Sequence, residues 1–402
     1  MASSVGQNAV AFGAMMLLMR LLSPQEFGEF AVAEAIAGLV ATALNLRLED
    51  LLVRIGPDRD DGAKATLYAW TLVQSSISAA ASAVALDFFG GLSAPRLLLV
   101  VQSFLTPIAT LTVRSHEIEL DFQRVARIEF AAHTLSHITA ITLALSGVGV
   151  TALFARGVVL HSLRLVLLQL KSQGTSWRAA WILIRQINLG RLPVQSIGPL
   201  WLDGFAAQGF ERLLILAVER ALSTSATGLF FQARRLSIIP AQIVMPFASR
   251  VSLSYFARTD DRRELYKLVR RSLLVTIGPG LVWAASAFTV GPEIVRFAFG
   301  EQWILAAAQL GYMSGFAICF GPFNVMKSFL IARGRVWELI GYGQLSLYVV
   351  FVGFLLFAST ASLEQWSMVL SACYAVALLM LLSTLMVRTD PRLTTDAEHD
   401  GR

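Results

Sequence analysis

Several charged side chains sit where charge is costly, inside long apolar runs. Arg156, Arg164, Arg212, Arg234, Arg235 and Lys327 interrupt such runs, and so do Glu34, Glu129, Asp203 and Glu211. A cation near the centre of a bilayer costs about 2.5–3.5 kcal/mol on insertion scales, so such groups turn toward a wet cavity or a partner. The excess of cations over carboxylates suits an anionic ligand, because the planar guanidinium can grip several acceptor oxygens at once. Arg234, Arg235, Arg212, Arg164, Arg156 and Lys327 are therefore the expected lining of a cationic cavity. The alternative for each is an ion pair or a bond to a backbone carbonyl, and Lys327 lies near enough to the end of its run to snorkel. Glu34, Asp203 and Glu211 are candidates for coupling to an ion, or equally for salt-bridge partners. Glu129, His133 and His137 follow at i, i+4 and i+8 and share one helix face, which fits a proton relay or plain polar lining. No fourth ligand and no metalloprotease spacing accompany them, so no metal is expected. No catalytic residues, no cofactor and no phosphate-binding loop are expected either, and the chain is not read as an enzyme.

The elements that must position these groups are membrane helices. Of 402 residues, 55% are hydrophobic and 15% charged, with a mean hydropathy of +0.63; soluble domains carry roughly a quarter charged residues. With about 20 apolar residues per span, spans are expected near 4–22, 28–46, 65–87, 96–113, 128–146 and 151–170, then near 195–218, 228–248, 272–290, 305–331, 339–358 and 367–387. The expected fold is an all-α integral membrane protein of twelve transmembrane helices, in two six-helix bundles (1–170 and 195–387) around a central cavity. Residues 171–194 are the linker between them and 388–402 a tail. Lys and Arg concentrate in the connections on one side, while the other side holds Arg96, Arg220 and Arg296, which places both termini in the cytoplasm. The formal net charge of +6 is scattered through those short connections, which points to lipid headgroups and not to nucleic acid. Trp177, Trp181 and Ile182 beside Arg178 and Arg185 suit an interfacial helix within the linker, or a plain cytoplasmic connection. Cys319 and Cys373 lie in apolar runs and are read as packing residues.

A repeat is visible at an offset of 200. Arg20 to Phe30 (RLLSPQEFGEF) and Arg220 to Phe230 (RALSTSATGLF) share Arg, Leu, Ser, Gly and Phe at matched positions; Phe89-Gly90 and Phe299-Gly300 are a weaker echo. Two halves in one orientation make a parallel repeat, whose ligand site is expected where the halves face each other. Pro199, Pro240, Pro246, Pro279 and Pro322 lie in spans of the second half against Pro107 in the first, and are candidate hinges or static kinks. Gly311 and Gly315 offer a small-residue face for close helix packing.

Arg20 to Phe30 resembles the stretch that ends the first helix and opens the second in bacterial polysaccharide transporters. Further resemblances follow in order: Ser146 to Phe154 (SGVGVTALF), Gly228 to Pro240 (GLFFQARRLSIIP), Pro246, Phe299 to Trp303 (FGEQW) and Ile331 to Arg335 (IARGR). Together they resemble the O-antigen and exopolysaccharide flippases of the multidrug, oligosaccharidyl-lipid and polysaccharide exporter superfamily. The resemblance implies a multi-pass protein of the bacterial inner membrane. It further implies a polyprenyl-pyrophosphate-linked oligosaccharide as cargo, moved by alternating access, and polysaccharide assembly proteins as partners. Two alternatives stand beside it. A cation-coupled multidrug exporter of the same fold would favour acidic cavity residues. A membrane polysaccharide polymerase or glycosyltransferase would need a large outer loop, and the outward connections here are short.

Overall fold

In lipid every backbone N–H and C=O must find an internal partner, so an apolar run with no polar face becomes a helix. The structure, a computed structural model, describes residues 2–55, 61–169, 181–182, 198–242, 244–245, 255–256, 259 and 261–387. The expected linker helix and tail, and Pro246, therefore lie outside the described residues, apart from Trp181 and Ile182, which are helical and exposed.

The chain forms two compact units. The first comprises Met1–Arg234 with Val290–Gln309, and the second Arg235–Thr289 with Leu310–Arg402. In the first unit run α1 (Ala2–Leu21), α2 (Pro24–Ala43), α3 (Leu48–Ile55), α4 (Asp61–Gly90), α5 (Ala94–Ile118), α6 (Phe122–Leu145), α7 (Thr151–Gln169) and α8 (Gly198–Ala221). α9 (Thr224–Ser237) begins in this unit and ends in the second. The second unit is built on α10 (Arg262–Thr289). α11 (Gly291–Phe299) and most of α12 (Ile304–Tyr312) return to the first unit. α13 (Ser314–Ala332), α14 (Leu345–Leu355, extended N-terminally by a π-helical turn at Leu339–Gln344) and α15 (Leu363–Val387) complete the second.

Among the described residues nine helices are long and apolar enough to cross a membrane, so the chain is a multi-span membrane protein. α1 and α8 coincide with two of the other three expected spans, and α9, which ends at Ser237, overlaps the first part of the third (228–248); none of them meets the same measure. In α8 the reason is plain, because Asp203, Glu211, Arg212, Glu219 and Arg220 all fall within it. One connection and one span also differ from the sequence reading. The stretch 47–64, expected to be a loop, contains α3, whose Leu48, Leu51 and Leu52 are buried against Leu67, Tyr68 and Leu111. An eight-residue amphipathic helix is too short to register as a span. The expected span 305–331 breaks at Met313, and the break is satisfied from α15: Ser371 Oγ donates to the Tyr312 carbonyl at 2.8 Å and accepts from the Phe316 N–H at 3.1 Å. Gly315 lets α15 come this close, its missing Cβ facing Ser371.

Candidate functional site

The first unit holds two contrasting regions at the two ends of α2. At its start, Ser23 accepts from the Glu26 N–H while Glu26 accepts from the Ser23 N–H at 2.8 Å, a capping box that fixes the turn from α1. Other segments of the family resemblance converge on this turn. Trp303 Nε1 donates to the Met19 carbonyl at 2.6 Å and Gln302 Nε2 to the same oxygen at 2.9 Å. Arg20 returns the contact, donating to the carbonyls of Ala298 and Phe297. The Phe27 and Trp303 rings meet edge to face with centroids 5.3 Å apart. Gly149, at φ 58° in the SGVG turn, leaves room for the Glu26 carboxylate, which lies 2.6 Å from where a Cβ would stand.

The repeat closes on itself here. A Cβ on Gly28 would be driven into the backbone carbonyl of Thr224, and a Cβ on Gly228 into that of Pro24. Each glycine thus meets the first residue of the other helix, and the offset of 200 relates Gly28 to Gly228 and Pro24 to Thr224. Ser223 caps α9 through the Ala226 N–H at 3.2 Å, as Ser23 caps α2. Only residues without a side chain allow two helix backbones this close.

Toward its other end α2 borders a cavity of about 220 Å³ with a mixed polar and apolar wall, the apolar part from Ala37, Ala41, Leu99 and Pro107. Glu34, Gly38 and Thr42 of α2, Asn45 just beyond it, Glu49 of α3, Gln74 of α4, Gln102, Ser103, Thr106 and Thr110 of α5, and Arg212 of α8 contribute to its wall. Arg212 lies 3.4 Å from Glu34, its guanidinium carbon 2.7 Å from where a Cβ of Gly38 would stand, so Gly38 makes the room. Gln102 lies flat against Gly157 of α7, where a Cβ would collide with its carboxamide. Gln74 Oε1 accepts from the Leu46 N–H at 3.2 Å, and Trp201 Nε1 donates to the Ala43 carbonyl at 3.1 Å, tying down the C-terminal end of α2. Glu49 lies outside the spans, and burial pushes its carboxyl above the usual carboxylate range; the neighbouring Asp50 adds to this, while Arg47 and Arg114 oppose it.

The remaining charged groups are placed as follows. Arg234 pairs with Glu211 at 2.6 Å. Arg164 reaches Glu129 at 2.5 Å and the His133 Nε2 at 3.1 Å, so the helix face of Glu129 and His133 is completed by a cation from α7. His137, two turns from Glu129, is buried. Arg156 lies within electrostatic range of Glu34 without lining the cavity. Asp203 is buried on α8. Arg235 and Lys327 are half-buried in the second unit. Of the expected set, the structure brings Glu34 and Arg212 into one cavity and pairs Arg234 with Glu211. Among the described residues no cluster of three or more His, Cys, Asp or Glu could hold a metal ion. Cavity residues the sequence reading missed are uncharged or lie in a connection: Gln102, Gln74, Asn45 and Glu49. Gln74 and Gln102 stand inside apolar runs, and that was the available signal.

In the solved structures, the chain is similar to the inward-facing conformation of a multidrug resistance MATE family transporter of the MOP superfamily (TM-score 0.70, 13% identity, covering 97% of this chain and 95% of that one). It is also similar to the lipid II flippase MurJ in an inward closed conformation (TM-score 0.58, 12% identity, covering 96% and 87%). At such identities these likenesses establish the fold alone, an all-helical one. Among curated proteins it is 24% identical, over 358 residues, to the succinoglycan biosynthesis transport protein ExoT of Rhizobium meliloti (strain 1021), covering 84% of this chain and 70% of that one. A family model described as polysaccharide biosynthesis protein matches residues 17–308, so the chain belongs to the polysaccharide biosynthesis protein family.

Proposed function

We propose that this chain is a flippase that carries a polyprenyl-pyrophosphate-linked oligosaccharide across the bacterial inner membrane by alternating access. In this reading twelve helices form two six-helix bundles with both termini in the cytoplasm, and the start of α2 faces outward. The observation that carries it is the asymmetry of α2. Its start is closed off by the Gly28 and Gly228 crossing, and its other half borders a cavity with polar groups in its wall. A transporter open to the side where cargo is made and closed to the side where it is used has this arrangement. The relatives are transport proteins, and the chain is read as a transporter and not an enzyme.

Arg234 and Arg235, neighbours on α9, hold the pyrophosphate in this scheme. Glu211 is then the coupling carboxylate: cargo that takes Arg234 away from it leaves Glu211 free to accept a proton. Deleting the gene tests the reading. Lipid-linked oligosaccharide should accumulate on the cytoplasmic face and be cleared by the wild-type chain but not by the Arg234→Ala, Arg235→Ala double variant. If the lipid-linked intermediate is never made, the chain acts in synthesis; if it is flipped normally without the gene, the transport assignment fails.

A further inference from the structure

We infer that the cavity beside α2 is a subsite for a single neutral sugar ring of the cargo, separate from the groups that hold its pyrophosphate. This rests on the flippase reading and adds to it which part of the cargo enters this cavity and what chemistry the cavity rejects.

Hydrogen-bonding logic is the first argument. Phosphate oxygens only accept hydrogen bonds, whereas a sugar hydroxyl both donates and accepts. The wall carries two carboxylates, Glu34 and Glu49, which are acceptors when ionised, and the carboxamides of Asn45, Gln74 and Gln102, which do both. Hydroxyls of Thr106 and Thr110 donate to carbonyls one turn back, at 2.7 and 2.9 Å, and so present their lone pairs to the cavity. Along the polar part of the wall pyrophosphate would meet acceptors on most sides, whereas hydroxyls find partners there, and Ala37, Ala41, Leu99 and Pro107 leave an apolar patch for the C–H face of a ring.

Charge gives the second argument. The one cation in the wall, Arg212, already faces Glu34, so the lining is neutral with Glu49 protonated and negative with Glu49 ionised. Arg156, within range of Glu34, and Arg47 and Arg114, within range of Glu49, stand outside the wall, so a dianion in the cavity would touch no cation but the paired Arg212. Volume gives the third: about 220 Å³ holds roughly seven waters at about 30 Å³ each, space on the scale of one ring and too small for a whole repeat unit. Two of the polar groups are also held by design of the backbone, Arg212 over Gly38 and Gln102 over Gly157. A uronic acid would bring its carboxylate against Glu34 and Glu49, so the cavity selects neutral sugars.

The full-length protein in nanodiscs, titrated with three short-chain polyprenyl pyrophosphates, tests this. One carries a neutral hexose, one a hexuronic acid and one no sugar. The hexosyl lipid should bind about tenfold tighter than the sugar-free lipid, a gain worth about 1.4 kcal/mol, and the hexuronosyl lipid no tighter than the sugar-free one. Gln102→Leu and Gly157→Ala should each erase the hexose gain while leaving sugar-free binding and the melting temperature in place. Glu49→Gln should improve hexuronosyl binding several-fold. Equal binding of all three lipids to the wild-type chain overturns the subsite alone. A hexose gain that survives Gln102→Leu also overturns it. If none of the three binds, the flippase reading itself fails.

Discussion

The two ends of α2 are made of similar residue types and do opposite things. At the start, glycine removes space: Gly28 and Gly228 allow backbone to meet backbone, and the capping box, the SGVG turn and Trp303 lock the crossing. Farther along, glycine creates space: Gly38 and Gly157 leave room for Arg212 and Gln102 to lie flat at a cavity wall. The neighbour that a missing Cβ faces decides the consequence of adding one. A backbone carbonyl cannot move without its helix, but the end of a side chain can swing.

That difference ranks the expected effects. Gly28→Ala or Gly228→Ala should be the most damaging, since the new methyl must push two helices apart; overpacking of this kind costs about 1–3 kcal/mol. Complementation of a deletion strain should fall at least tenfold at equal membrane abundance. Trp303→Phe comes next: it keeps most of the packing on Phe27 but takes one of two donors from the Met19 carbonyl. A loss of about 0.5–1.5 kcal/mol is expected, read as a melting temperature lower by a few degrees in detergent.

Gly38→Ala and Gly157→Ala should barely change melting yet slow cargo clearance several-fold, because Arg212 or Gln102 is displaced and not crushed. If they unfold the protein as Gly28→Ala does, the contrast between the two ends collapses. The smallest effect concerns pH. Burial raises the Glu49 carboxyl, so folding favours its protonated form. The stability this gives is complete below the unfolded-state value and is lost as pH rises through the raised folded one. Melting temperature should therefore decline with pH over that window in the wild-type chain and decline less in Glu49→Gln.

Much of this was legible in the sequence, unevenly. The repeat at offset 200 was visible as Arg, Ser, Gly and Phe, and the structure gives Ser23 and Ser223 equivalent caps and Gly28 and Gly228 reciprocal contacts. The family resemblance was carried by RLLSPQEFGEF, SGVG and FGEQW, and these converge on one closed turn. Those three segments thus carry architecture, whereas GLFFQARRLSIIP, which also carried the resemblance, contains Arg234 and Arg235. The cavity was harder to read because its wall comes from five helices and depends on uncharged groups. Attention to charge singled out Glu34 and Arg212, but Gln74 and Gln102 look like ordinary polar residues in long apolar runs, and Glu49 lies on an amphipathic helix too short to count as a span. Nor could sequence alone show that Arg164, Arg212 and Arg234 each face a carboxylate, since those partners lie 23 or more positions away.

The most direct test of the account is the sidedness of the cavity. In a background carrying Cys319→Ala and Cys373→Ala, Thr106→Cys would be challenged with a membrane-impermeant thiol reagent in inside-out and right-side-out vesicles without cargo. Labelling in inside-out vesicles only, with Phe27→Cys silent in both, is the predicted result. Labelling of Thr106→Cys from the periplasmic face alone, or equally from both faces, would contradict an α2 that is sealed outside and open within.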